Sequence, residues 1–387
     1  MNNYPTYKLS EIARSTKGKK PKSVSKEKTD GFEIPYVDIK AFEKGIVDNY
    51  TDGENCTFCK PDDVLIVWDG ARCGFVGRGV EGAIGSTLAK ISSEKYTNDF
   101  LFYFLQSKYK VLNSNPRGVG IPHIEPNLLW NFEIPDVDKT TQHLIVTRIE
   151  TLFAELDKAV QHMRTAQQQI KTYRQAVLNH WLNNEDGKWE TVKLGEVADA
   201  IDPEPSHRTP KIQKDGIPFV SIKDCDYIMN TINLKTARLV SKDVLKEHKE
   251  RYSIKEGDFI IGKIGTIGNP VNVILPQEYA LSANVVLIQP TDKINAKFLY
   301  NTFRSNIVEK QLFDGKKATT QAAFGIKKVR LIEIPLPPLA EQQRIVKEIE
   351  SRLSQATASE TYIENALQQA EALRQSILKK AFSGELV

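Results

Sequence analysis

Two stretches of the chain carry one pattern 200 positions apart. Glu133-Ile134-Pro135 recurs as Glu333-Ile334-Pro335, and Gln142 recurs as Gln342. Ile145-Val146 with Ile149-Glu150 returns as Ile345-Val346 with Ile349-Glu350, and Arg174-Gln175 with Leu178 as Arg374-Gln375 with Leu378. No gap interrupts the match. A repeat that tolerates no insertion predicts two copies of one rigid element, with the divergent segment before each copy performing its own version of one task.

The apolar positions of the repeat have a helical period. In the first copy Ile145, Ile149, Leu152, Leu156, Ala159, Met163, Ala166, Ile170, Tyr173 and Val177 step by fours and threes. That is a heptad seam, the spacing that packs one long helix on another. In the second copy Ile345, Ile349, Ala356, Ile363, Ala366, Ala370, Leu373 and Ile377 continue it. Arg352 and Ser359 fall on seam positions and predict a weaker or shifted register. Each helix should run roughly 40 residues, or about 60 Å. Neither can bury its stripe alone, so the two are expected to pack antiparallel. Their outer faces carry Gln167, Gln168, Gln169, Gln368 and Gln369, either as solvated surface or as docking sites for other subunits.

The segments before the helices also correspond, more loosely. Lys8-Leu9-Ser10-Glu11-Ile12-Ala13 is similar to Lys193-Leu194-Gly195-Glu196-Val197-Ala198, and Ile34-Pro35-Tyr36-Val37 to Ile217-Pro218-Phe219-Val220. Val64–Trp68, Phe259–Ile261 and Val285–Ile288 are short apolar runs bounded by turn residues and read as buried strands. Leu101–Tyr109 and Phe298–Phe303 read as short helices. The expected class is α+β: two similar globules separated by two long antiparallel helices, with approximate two-fold symmetry. The expected boundaries are a globule over 1–136, a helix over 137–186, a globule over 187–336 and a helix over 337–387.

Composition excludes several classes. No run of about 18 apolar residues spans a membrane, and the N-terminus has no signal-peptide core. Four cysteines are too few for a disulfide scaffold in 387 residues and fit a reducing cytoplasm. A net charge of +4 does not by itself argue for nucleic acid, though it permits a locally basic face.

The order globule, helix, globule, helix, with these motifs, resembles the specificity subunit of a type I restriction-modification enzyme over the whole chain. The strand-Pro-Gln-helix junction is the most specific part. Ile334-Pro335-Leu336-Pro337-Pro338-Leu339 followed by Glu341-Gln342-Gln343-Arg344-Ile345-Val346 is its fuller form. The first copy carries Asp136-Val137-Asp138 and Thr141-Gln142-His143 instead. The resemblance implies two target recognition domains, each reading half of a bipartite asymmetric duplex, with the helices as spacer and subunit platform. It implies two modification subunits and restriction subunits as partners, in a bacterial or archaeal cytoplasm. No cofactor is expected on this chain; adenosylmethionine, ATP and Mg are implied for the partners. Gln142 with Gln342 and Arg174 with Arg374, polar positions repeated in both copies, and Arg344 of the second junction are the expected subunit contacts.

Two similar readers at opposite ends of an antiparallel helix pair suit half-sites about one helical turn apart, roughly 34 Å. Lys19, Lys20 and Lys22 lie in a basic loop with Lys17, Lys26 and Lys28. It is either solvated surface or a phosphate contact carrying little sequence information. Asn115, Arg117 and His123 mix base-reading side chains with glycine, since Arg addresses guanine and Asn adenine. Their counterparts are Lys316, Lys317, Thr319 and Gln321. Arg72 and Lys263 sit in the Gly-rich stretches after strands, and Lys211 and Lys214 complete the set.

Other motifs are set aside. Gly257–Lys263 has phosphate-loop spacing, but Ile264 replaces the magnesium-binding hydroxyl. Cys56-Thr57-Phe58-Cys59 lacks a second pair for a closed zinc site. No adenosylmethionine loop, catalytic amino-methyltransferase motif or helicase signature occurs, which predicts a reader without catalytic residues. An interaction scaffold without a DNA role, or a stand-alone enzyme using the Gly-rich stretches, would be the competing outcomes.

Overall fold

Each globular segment is closed at its base by two antiparallel strands. Thr6–Lys8 pairs with Glu133–Pro135 in the first, placing Tyr7 opposite Ile134. Glu190–Lys193 pairs with Glu333–Leu336 in the second, placing Val192 opposite Ile334. The chain thus enters and leaves each globule at one point, and a long helix starts just beyond it. These helices are Lys139–Leu182 and Leu339–Phe382, 44 residues each. Asp138 starts the first by accepting a bond from the Thr141 backbone N–H at 2.7 Å. Before the second, Pro337-Pro338 supply residues with no N–H to leave unpaired.

The computed structural model describes residues 4–118, 120–184, 186–207, 209–227, 230–263, 268–314 and 325–386. It divides into two units, Met1–Arg164 with Glu364–Val387, and Thr165–Ile363. Each unit therefore holds one globule, the opening half of one long helix and the closing half of the other.

In the first unit the strands Arg14–Lys17, Leu88–Ser92, Val64–Val67 and Val76–Gly77 form an antiparallel sheet in that order. A second sheet orders Tyr50–Thr51, Ile34–Val37, Gly82–Ile84 and Phe58–Cys59, its middle pair parallel. Val64–Val67 is buried throughout because it has two dry faces. Val64 and Ile66 join the core under the helix Asn98–Ser114, while Leu65 and Val67 join the core under the second sheet. The alternation follows from the two-residue period of a strand. Ile145, Val146, Ile149 and Phe153 from one long helix, with Ile377, Leu378 and Ala381 from the other, complete the first core. The Phe382 ring meets Phe100 and Phe104 edge-on at 5.2 and 5.4 Å.

The second unit repeats this build. Ala198–Ile201, Val285–Pro290, Phe259–Gly262 and Pro270–Asn272 form the antiparallel sheet. Arg238–Val240, Ile217–Val220 and Ala280–Leu281 form the other, again with one parallel pair. Ile345, Val346 and Ile349 pack with Val177, Leu178 and Leu182 under the helix Ala296–Phe303. The helix halves run antiparallel here. Arg174 reaches Thr357 and Glu360, both at 2.9 Å, and the later Trp181 lies under the earlier Arg344 and Arg352.

One expectation is corrected. Apolar spacing places Tyr173 and Leu373 on the seam, yet they are 41% and 51% exposed. The half-buried positions are the next ones, Arg174 and Arg374. Likewise Arg352 and Ser359 are exposed, with Leu353 and Glu360 turned inward, so the second seam is not interrupted. A heptad can be stepped four-then-three or three-then-four, and the readings differ by one residue at alternate positions. Hydrophobicity chooses wrongly because an arginine stem packs while its head stays paired. Arg374 pairs with Asp157, its guanidinium 4.2 Å from the Phe153 ring centre.

Candidate nucleic-acid interface

In the first unit a buried turn fixes the basic loop. The strand Arg14–Lys17 ends at Gly18, where a Cβ would stand 2.2 Å from the Gly85 carbonyl oxygen. Only glycine allows that approach. It lets the Gly18 N–H donate to Leu88 O at 2.9 Å and the Lys19 N–H to Ile84 O at 3.1 Å. Lys19, Lys20 and Lys22 leave this turn exposed. Lys22 approaches Glu54 at 3.5 Å.

A second fastening joins two loops. Beyond Val67 the chain turns at Trp68-Asp69-Gly70. Asp69 accepts from Lys17 Nζ at 2.9 Å and lies 2.6 Å from His123 Nδ1. Burial alone would raise the Asp69 pKa, but the hydrogen bonds from Lys17 and His123 outweigh it and hold the carboxyl below its ordinary value. Backbone bonds reinforce the join: Gly70 N–H to Pro122 O at 2.8 Å, Ile124 N–H to Trp68 O at 2.9 Å, and reciprocal bonds between Arg117 and His123. Among the described residues no acidic group pairs with the Arg117 guanidinium, and the residue is exposed. Its side chain is therefore available on a fixed backbone.

The other candidates of this unit are more committed. Arg72 pairs with Glu43 at 2.8 Å and lies 4.1 Å over the Phe75 ring. The Asn115 amide donates to Val111 O at 2.9 Å, finishing the helix before it. Lys211 and Lys214 in the second unit are exposed. Lys316, Lys317, Thr319 and Gln321 lie outside the described residues.

Lys263 requires correction. It is 6% exposed, and its ammonium is 2.5 Å from Asp202 Oδ2. A buried, neutralised cation is not offered to a phosphate. The strand registers make Lys17 the counterpart of Asp202 and Trp68 the counterpart of Lys263. The two units therefore close the same corner with ion pairs of reversed sense, Lys17 to Asp69 and Asp202 to Lys263.

Two of the expected subunit contacts are also corrected. Gln142 and Gln342 are completely buried. Gln142 Oε1 accepts from the Thr97 N–H at 2.9 Å, and its amide donates to Val137 O at 3.0 Å. Gln342 accepts from the Asn295 N–H at 2.7 Å and donates to Pro337 O at 2.8 Å. Thr97 and Asn295 are the N-caps of the short helices, so each glutamine ties a short helix to the start of a long one. Arg174 and Arg374 are engaged in bonds between the helices. Arg344 remains exposed, paired with Glu341 and 5.4 Å from the Trp181 ring centre.

Among the described residues no three His, Cys, Asp or Glu side chains converge on a metal position. Burial pushes the Cys59 thiol up to about 11, and its Sγ faces Val80 O at 3.4 Å. That thiol stays protonated at neutral pH. Phe259–Gly262 is a buried strand, not a phosphate cradle. No described helix is long and apolar enough to cross a membrane.

Residues 1–163 and 186–369 match the family model for the type I restriction modification DNA specificity domain. The chain belongs to this family. Among specificity-domain relatives, the Escherichia coli type I restriction enzyme EcoBI specificity subunit is 25% identical over 91% of this chain and 80% of its own length. The Methanocaldococcus jannaschii MjaVIII specificity subunit is 24% identical, over 89% of this chain and 84% of its own. The HsdS subunit of Thermoanaerobacter tengcongensis shares the fold at a TM-score of 0.58 and 21% identity, covering 100% and 98% of the two chains. A chain from a structural study of type I system assembly and conformational transition reaches 0.71 at 20% identity, covering 100% and 99%.

The structure adds residues that sequence reasoning passed over. Tyr36, Asp38, Lys40, Lys44, Ser86 and Thr87 line an open cleft of about 630 Å³ beside the Asp69 join. Lys40 and Lys44 lie on the one short helix Ile39–Lys44, and their four-residue spacing could have shown a shared face. Ser86 and Thr87 gave no such signal.

Proposed function

We propose that the chain gives a type I restriction-modification system its DNA sequence specificity, each globule reading one half of a bipartite duplex target. The family membership and the same α+β reader built twice carry this reading. The exposed Lys19, Lys20 and Lys22 would hold phosphates and the Arg117 loop would approach base edges, a division that separates affinity from specificity. The long helices would act as spacer and as platform for two modification subunits and the restriction subunits. Adenosylmethionine, ATP and Mg would serve those partners, and this chain would perform no bond-making step itself.

Selection of bound sequences from a random duplex pool, with modification subunits present, tests the reading. The expected result is a two-part motif with a fixed gap. An uninterrupted motif, or none, would overturn it, and turnover by the lone chain would contradict a reader without catalysis. A non-DNA-binding scaffold would show no steep loss of duplex affinity as salt rises.

A further inference from the structure

A short turn between the sheets occurs in both units with the same backbone bonds and different side chains. In the first unit it follows the strand Gly82–Ile84 and is Gly85-Ser86-Thr87-Leu88. Gly85 N–H donates to Val37 O at 2.9 Å, Leu88 N–H to Gly85 O at 3.0 Å, and Trp68 N–H to Thr87 O at 2.8 Å. In the second unit it follows Ala280–Leu281 and is Ser282-Ala283-Asn284-Val285. Ser282 N–H donates to Val220 O at 2.8 Å, Val285 N–H to Ser282 O at 3.3 Å, and Lys263 N–H to Asn284 O at 2.8 Å. The three bonds correspond one for one. They fix the position of residues 86–87 and of residues 283–284 without using those side chains.

The side chains are free to act. Ser86 and Asn284 are exposed and Thr87 is half-buried. Among the described residues no protein group engages the Ser86 or Thr87 hydroxyl or the Asn284 amide. The first turn also lines a cleft of mixed charge, with Lys44 and Asp38 beside Lys40 paired to Asp48 and Glu43 paired to Arg72, and accepts the Asp69 N–H through Thr87 O at 3.3 Å. It therefore adjoins the fastened loop that displays Arg117. A rigid backbone presenting small, unpaired polar side chains is what base-edge recognition needs. Such a site also lets the side chain change while the scaffold stays.

We infer that this turn is a base-selecting element, with Ser86-Thr87 choosing in one half-site and Asn284 choosing in the other. The inference rests on the proposed DNA reading and deepens it. An amide can donate and accept at once, which matches the adenine edge in the major groove. Asn284 is therefore assigned an A·T pair. The hydroxyls of Ser86 and Thr87 accept or donate one bond each and discriminate less sharply.

The test repeats the random-pool selection on the full chain with modification subunits, comparing the native protein with Asn284→Ala and with the double variant Ser86→Ala, Thr87→Ala. Asn284→Ala should lower the preference for A·T at one position of one half-site by roughly tenfold or more. The other half-site should be unaltered. The double variant should relax one position in the opposite half-site. Amide exchange of the flanking strands checks folding, since the clamping bonds are all backbone. If the native protein selects a two-part motif and the variants keep every preference, the inference fails while the reader model stands. Weaker binding on every sequence with preferences intact would make these residues phosphate contacts and would also overturn it. No two-part motif with the native protein would sink the reader model itself.

Discussion

Replacing Gln142 or Gln342 with alanine separates a folding role from a subunit-contact role. Gln142→Ala removes the acceptor for the Thr97 N–H at 2.9 Å and the donor to Val137 O at 3.0 Å. Both partners sit beside a side chain with no exposed surface. A buried polar group left without a partner costs about 1–3 kcal/mol, so the two together cost about 2–6 kcal/mol where no water replaces the amide. Gln142→Leu fills the space with carbon and should be no milder. Gln342→Ala should act the same way through Asn295 and Pro337, in the other unit. Amide exchange read by mass spectrometry resolves the units. Gln142→Ala should speed exchange at the start of the helix Asn98–Ser114 and leave Ala296–Phe303 protected, and Gln342→Ala should do the reverse. A loss of about 2 kcal/mol is roughly a thirtyfold loss of protection, since about 1.4 kcal/mol is a factor of ten. Changes below about 0.5 kcal/mol in both variants, or abolished partner assembly with unchanged exchange, would refute the reasoning.

Other perturbations sort the remaining residues. Lys263→Met leaves the partly buried Asp202 without its partner and should destabilise the second unit by about 1–3 kcal/mol; the slope of duplex affinity against salt should not change, and a flatter slope would return Lys263 to the DNA. Changing Lys19, Lys20 and Lys22 together to alanine should weaken binding uniformly and flatten that slope by about 0.9 for each phosphate left without its cation. His248 is 1% exposed, between Glu204 at 3.2 Å and Tyr252 at 2.9 Å. Burial lowers its pKa below 6.5, though Glu204 opposes the shift. The unfolded chain then takes the proton more readily than the folded one, so stability rises with pH through this range. The lowered carboxyl of Glu204 acts in the same sense at lower pH, its contribution fading as pH falls through the folded value. Melting of the second unit should therefore fall on acidification below about 6.5, and His248→Asn should blunt that fall. A melting temperature flat in pH would count against the buried neutral imidazole.

The parts legible in sequence are those governed by periodicity. The two long helices, the buried strands at Val64 and Phe259 and the two-copy order follow from apolar spacing, because core burial demands it at every turn. Arg174 and Arg374 escape that reading since a seam tolerates an arginine whose charge finds Glu360 or Asp157 across the gap. Gln142 and Gln342 stand out by their spacing, but spacing does not say which way they point. Nothing in a glutamine's identity tells whether its amide meets a neighbouring subunit or the N-cap of a helix some 45 positions away. Lys263 misleads for the same reason, as its carboxylate lies 61 positions back. Long-range pairing of polar groups has no period, and only the folded chain shows it.

The offsets between the copies explain where recognition can vary. Lys8 matches Lys193, an offset of 185; Asp63 matches Asp258, an offset of 195; Glu133 matches Glu333, an offset of 200 that persists to Leu378. Length differences therefore accumulate inside the globules and stop by the short helices Pro126–Trp130 and Ile326–Arg330, just before the closing strands. A seam of interlocking side chains cannot absorb an insertion without turning its apolar stripe away from its partner. A loop is little destabilised by extra length, since closure entropy grows only with its logarithm. The corner ion pair follows the same logic: Lys17 with Asp69 and Asp202 with Lys263 reverse their charges yet hold the same strand ends. Thr87 and Asn284 differ on turns with one bonding pattern. Side chains that the backbone does not need are the ones a reader can exchange, and in both units they lie between the sheets rather than along the helices.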